Sequence, residues 1–238
     1  MKKKNGFTLA EVLVTLGIIG VVAALATPQL LDNTQKAKVV PSIRKFITTM
    51  ENVHEHIMAD EECDKLSEVN KNNDEGYLDL VKKYVKGRVE TKKMDEFEPK
   101  PANIKGEQTN APGYGSSYTF SVYTFENGDA MAIHVFAPEI NANYEGTTYK
   151  GHIANIWYDI NGFENKPNRA GKDEFLFRVD DSGTVYPDGG QVKKMLTVGR
   201  ADTWDKDGYS ACKADSVPYG QFCAASIADN NWKIIYKY

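Results

Sequence analysis

The chain has 238 residues, 41% hydrophobic and 26% charged, the balance of a folded protein with one sizeable core and not of a disordered one. A formal net charge of −4 gives no support to a nucleic-acid partner. The charge is unevenly placed: Lys2, Lys3 and Lys4 crowd the start, and losing these three would take the net from −4 to −7.

Residues 7–31 read FTLAEVLVTLGIIGVVAALATPQLL and hold one ionisable side chain, Glu11. At 1.5 Å per residue such a run is long enough to cross a hydrocarbon layer of about 30 Å. The lysines precede it and no comparable cluster follows closely. The positive-inside rule therefore leaves the N-terminus in the cytoplasm and the rest outside. A charged side chain at the centre of such a span costs about 2.5–3.5 kcal/mol, and less near its end. The span offers Glu11 no lysine or arginine. A cut before Phe7 would create an α-amino group four residues away on the same helical face, a partner for Glu11 of its own chain or, better, of a neighbour.

At these residues, Gly6-Phe7-Thr8-Leu9-Ala10-Glu11 ahead of a long apolar run, the chain resembles the cleavage-and-methylation signal of type IV prepilins and type II secretion pseudopilins. The resemblance continues without gaps to Pro28 and Gln29, where pilins commonly carry a proline that kinks or loosens the helix. Ala10 replaces a commoner branched aliphatic residue, a small departure. The resemblance implies a leader at 1–6, removed after Gly6 by a prepilin peptidase that also N-methylates Phe7. It implies a transmembrane and filament-core helix at 7–31 and a registering role for Glu11 in assembly. The implied partners are that peptidase, other pilin or pseudopilin subunits, the membrane assembly machinery and the lipid bilayer. The implied location is the cytoplasmic (inner) membrane, single pass with the head outside, then a periplasmic or extracellular filament of a type IV pilus or type II secretion pseudopilus. A conventional signal peptide also has a basic start, an apolar core and an Ala24-Leu25-Ala26 stretch. That alternative predicts a soluble secreted or periplasmic binding protein beginning at Thr27, and it gives Gly6, Phe7 and Glu11 no role.

Beyond Pro28 the pattern predicts an amphipathic continuation over 32–60, with Ile43, Phe46, Ile47, Met50, Val53 and Ile57 at helical spacing. Pro41 removes a backbone donor and predicts a bend or local break. His54 and His56 lie two apart, on different helical faces, and read as surface residues. The remainder, 61–238, reads as a globular head. Residues 64–76 are polar, with a loop near 70–75, and 77–86 predict a short helix. Residues 95–117 carry Pro99, Pro101 and Pro112 and read as a long connection. Alternation at Tyr118, Phe120 and Val122, and at Met131, Ile133 and Val135, predicts a hairpin turned by Asn127-Gly128. Further strands are expected at 152–160 and 174–180, the latter turned by Asp181-Ser182-Gly183 into 184–186. Trp232, Ile234, Ile235 and Tyr236 fit a terminal strand or the end of a short helix. The order is α+β: a long N-terminal helix whose C-terminal half packs on an antiparallel sheet. The resemblance implies the same pilin-like architecture.

In the head, DINGFENKPNRAGKD (159–173) bunches Asp159, Asn161, Asn168 and Asp173 around Gly162 and Gly171. Calcium takes six to eight oxygens on a flexible loop, which such residues supply. The spacing is not that of an EF-hand, and the same residue types make turns without any metal. The family offers a parallel, since some pseudopilins bind calcium in a C-terminal loop. Asp205-Lys206-Asp207-Gly208 is a weaker case. Cys212 and Cys223 are suited to a disulfide if the chain is exported, leaving Cys63 over. No nucleophile–base set emerges. His134 and His152 fall in expected strands as structural residues, so no enzymatic role and no required cofactor are expected.

Overall fold

The computed structural model describes residues 8–69, 75–98, 100, 102–104, 106–107, 119–135, 142–144, 147–149, 153–188, 212 and 223–236, with the backbone alone at 26–32, 75, 94, 142–144 and 147–149. Two compact units divide the chain, Met1–Lys38 and Val39–Tyr238.

Helix α1 runs from Leu9 to Asp60 and is helical at both Pro28 and Pro41. The break expected at Pro41 does not occur. Pro41 is exposed, so water can serve the carbonyl it leaves unpaired, and packing further along supplies the stability the lost bond removes. In the second unit, Val39, Ile43, Phe46, Met50, Val53 and Ile57 form one buried stripe, with Ile47 half-buried at its edge. The three- and four-residue spacing of this stripe is the reason the segment is a helix here. Phe46 stacks on Tyr158 with ring centroids 4.3 Å apart and meets Phe177 at 5.0 Å.

After α2 (Leu66–Val69) and α3 (Glu75–Tyr84), the chain builds a six-stranded antiparallel sheet. Its strands are β1 (Arg88–Lys93), β2 (Thr119–Thr124), β3 (Ala130–Val135), β6 (Ala154–Asp159), β7 (Glu174–Val179) and β8 (Val185–Pro187), in spatial order β1-β2-β3-β6-β7-β8. Between β3 and β6, β4 (Ala142–Tyr144) and β5 (Thr147–Tyr149) pair as a separate hairpin. The fold class is therefore α+β, as the sequence order implies. The β2–β3 turn is closed by Phe125 N donating to Asp129 O at 2.9 Å, and Gly128 takes the φ of +92° that favours glycine.

Both faces of the sheet are buried. Met131, Ile133, Ile156, Tyr158, Phe175 and Phe177 meet the α1 stripe, while Phe120, Val122, Ala132, Trp157 and Leu176 form a second cluster with Phe97 and Phe163. This double burial explains why ANIWYD of β6 is buried at every position instead of alternately. The C-terminal region contributes α4 (Cys223–Asp229), of which Cys223 through Ile227 are buried. Trp232 to Tyr236 form no strand; Trp232 lies under the Arg44 guanidinium at 4.5 Å, and Ile234 and Tyr236 pack against the core.

Candidate functional site

Two places in the chain concentrate chemistry. The first is the start of α1. Thr8 precedes the helix and Glu11 sits three residues on. Thr8 N donates to Glu11 Oε2 at 2.7 Å, Thr8 Oγ1 donates to the same oxygen at 2.9 Å, and Glu11 N donates back to Thr8 Oγ1 at 3.3 Å. This is a capping box, in which two otherwise orphaned amide donors of the first turn are satisfied reciprocally. The carboxylate that the sequence leaves without a cationic partner thus has local hydrogen-bond donors in Thr8. Thr15 Oγ1 donates to the carbonyls of Glu11 and Val12, each at 2.9 Å, so its hydroxyl too is satisfied within the helix.

Past this box the helix is apolar on every side. Leu9, Leu13, Leu16, Ile18, Ile19 and Val22 are all exposed large hydrophobics, with Val12, Val14, Val21 and Leu25 between and after them. A helix apolar all round has no face for water and requires lipid or other helices about it. The described side chains of this run end at Leu25, and among the described residues no helix is long and apolar enough to cross a membrane. Gly6 and Phe7 lie outside the described residues.

The second place is the loop from β6 to β7. Asp159 ends β6 and Glu174 begins β7, directly opposite in register and on the face of Trp157 and Leu176. Between them the loop folds back on itself. Gly162, Asn168 and Gly171 take left-handed φ values of +84°, +44° and +77°. Asp159 Oδ1 accepts from Asn161 N at 2.9 Å, and Asp173 Oδ1 accepts from Arg169 N at 2.5 Å. Asn168 is buried and its Nδ2 donates to Phe163 O at 2.6 Å. Ile160 N donates to Asp173 O at 2.9 Å and closes the base of the loop.

Asp159, Asp173 and Glu174 are all buried. Burial, then the nearby Asp173, pushes the Asp159 carboxyl well above the usual carboxylate range. Burial, then Asp159 and Asp173, does the same to Glu174. Asp173 is raised as well, chiefly by burial. Among the described residues no group of three or more His, Cys, Asp or Glu side chains could hold a metal ion. Glu174 is not legible as a member of this set, since it falls in an apolar strand pattern; only the register brings it opposite Asp159.

The other expected residues fall as follows. His54 is not a surface residue. Positions 50, 53, 54 and 57 share one helical face, so His54 is carried into the core, while His56 on another face is exposed. His54 Nδ1 lies 2.7 Å from Gly183 O and Nε2 lies 2.8 Å from Tyr77 Oη. A carbonyl only accepts, so Nδ1 carries the proton and Nε2 accepts from the tyrosine hydroxyl. Cys212 and Cys223 are joined by a disulfide with Cα atoms 4.9 Å apart, and Cys63 is free. His134, in β3, is half-buried; His152 and Asp205 to Gly208 lie outside the described residues. A crevice of about 260 Å³ lies beside the β2–β3 turn, lined in part by Lys45, Lys86, Phe125 and Asp129, and it holds no nucleophile–base pair.

Residues 1–27 match the family model of the prokaryotic N-terminal methylation motif, the signal of type IV pilins and pseudopilins. The N-terminus thus carries a signal of the prepilin type, and the motif is one of structural subunits. Such a signal implies processing by a prepilin peptidase, assembly with other pilins, and anchoring in the inner membrane before entry into a filament. No curated protein and no solved structure matches the chain.

Proposed function

We propose that this protein is a filament subunit, held in the cytoplasmic membrane by the apolar part of α1, cut after Gly6, methylated on Phe7 and assembled into a type IV pilus or type II secretion pseudopilus. The observation that carries this reading is the methylation motif over residues 1–27. The all-round apolar surface of α1 between Leu9 and Leu25 supports it, because a helix of that kind needs lipid first and neighbouring helices afterwards.

Glu11 has two tasks in this account. In the precursor it caps its own helix through Thr8, which lowers the cost of carrying a carboxylate into an apolar layer. In the filament it pairs with the Phe7 amine released by cleavage, in a bundle where water no longer screens the charges. The two tasks are compatible, since both Thr8 bonds fall on Oε2 and Oε1 is left for the amine. The head, residues 61–238, faces outward and meets partners.

Glu11→Ala tests the assignment. The variant should enter the membrane and be processed as the natural chain is, yet fall at least tenfold in filament incorporation, read by shearing and immunoblotting. Glu11→Gln retains capping geometry but not the charge, and should fail in the same assay. Normal incorporation of Glu11→Gln would remove the pairing role.

A further inference from the structure

We propose that the crevice between α1 and the β2–β3 turn receives Ile235 of a second copy of this chain, in a side-by-side contact between subunits. The inference rests on the filament reading and names a contact by which one subunit holds the next.

The crevice has an apolar floor and a charged rim. Phe46, Phe125 and Tyr158 line it, together with the exposed Thr49, Lys45 and Lys86. The Phe46 and Tyr158 rings are stacked on each other, which fixes the floor. Asp129 also lines it, but its Oδ2 accepts from Tyr158 Oη at 2.6 Å and from Asn127 Nδ2 at 2.9 Å. The charge of Asp129 is thus answered within the crevice. Among the described residues neither Lys45 nor Lys86 has an acidic partner. Against them the rim sets one exposed acid, Glu126. A volume of about 260 Å³ is room for a side chain, not for a helix or a strand. The occupant called for is an apolar side chain on a surface that is acidic on balance.

The Val39–Tyr238 unit carries such a surface elsewhere. Among its described residues Ile235, 63% exposed, is the one large hydrophobic left in water. A single exposed apolar side chain is ordinary, but this one is held out by a strained backbone. Asn231 and Trp232 take φ of +54° and +60°, the left-handed region that a bulky side chain rarely enters. Trp232 is seated under Arg44, Ile234 and Tyr236 pack on the core, and Ile235 is left facing out between them. Asp229 precedes it, and Glu51 and Glu55 lie on the Arg44 side of α1. These acids outnumber the cations there, Arg44 and Lys233.

The two surfaces lie on opposite sides of α1. At about 3.6 residues per turn, Lys45 and Thr49 fall to one side of the buried stripe and Arg44, Glu51 and Glu55 to the other. The sheet agrees. The crevice lies at the β2–β3 turn, whereas Glu51 Oε1 accepts at 3.3 Å from Val185 N of β8, the strand at the far edge. A copy therefore does not fill its own crevice. A contact between two different surfaces is heterologous, and it repeats from copy to copy where the rotation does not close. A filament needs such a contact, and a twofold dimer does not supply it.

Full-length protein is expressed with its assembly machinery on a Cys63→Ser background, and the sheared filaments are treated with a short bis-maleimide. Cys212 and Cys223 are bonded to each other and do not react. Thr49→Cys with Ile235→Cys should give a ladder of dimers, trimers and longer multimers, and either cysteine alone should give none. A dimer from Ile235→Cys alone would mean a twofold contact and overturn the proposal. So would a link from Thr49→Cys alone to a different protein. Ile235→Asp, and separately Lys45→Glu/Lys86→Glu, should each lower filament incorporation roughly tenfold with an unchanged thermal midpoint, since all three positions are exposed. Undiminished incorporation of both would also overturn it. Absence of the natural protein from the sheared fraction would sink the filament reading and this contact with it. Natural protein in that fraction, without the ladder from the paired cysteines, would sink the contact alone.

Discussion

His54 is the residue whose environment departs furthest from what its neighbours in sequence suggest. It is fully buried, bonded on both ring nitrogens, and burial lowers its pKa to about 4 against the pull of the Gly183 carbonyl and of Asp180. The folded state thus holds the ring neutral, while the unfolded chain protonates it near its ordinary value of 6.5. Below that value the unfolded state binds more protons. The stabilisation is fully present above about pH 6.5 and is lost as pH falls towards 4, up to about 3 kcal/mol. Asp159, Asp173 and Glu174, with raised pKa values, titrate in the opposite sense, so the loss is read as a difference: between pH 7.5 and pH 4.5, urea unfolding should show the natural protein losing stability relative to His54→Gln. The contact is intolerant of bulk, because Gly183 has φ +82° and a Cβ there would lie 2.8 Å from His54 Cβ. The sequence offers no sign of this. Two histidines two apart say only that they face different ways, and which one faces in depends on the stripe of Met50, Val53 and Ile57.

At the scale of elements, α1 and the central strands are legible because their apolar spacing is regular and their packing surfaces are continuous. The α1 stripe should accordingly be sensitive to truncation. Phe46→Ala removes a ring stacked on Tyr158 and should lower stability by about 3–5 kcal/mol, measured by denaturant midpoint. Ile47→Ala, at the half-buried edge, should cost far less. Other elements are not legible for physical reasons. RVETKK of β1 has no apolar alternation; it is a strand because residues 88–93 pair in register with β2, and its lysines suit a sheet edge. The helix α4 is short, and CAASIAD has little periodicity of its own; it forms where Cys223 to Ile227 can be buried. In the β6–β7 loop the sequence marks Asp159, Asn161, Asn168 and Asp173 by composition. Glu174 joins them through strand pairing alone.

At the scale of the whole molecule, the chain carries two kinds of surface. The helix from Leu9 to Leu25 is exposed and apolar, whereas the unit from Val39 to Tyr238 has its own core on both faces of a sheet and a disulfide near its end. A conventional signal peptide would discard the first of these after Ala26. A prepilin signal would keep it and remove six residues only. The intact mass of the mature protein, isolated from cells that carry a prepilin peptidase, decides between them. The account predicts a chain beginning with N-methylated Phe7, and an uncut precursor when Gly6 is replaced by Val. A mature chain beginning at Thr27 would contradict it.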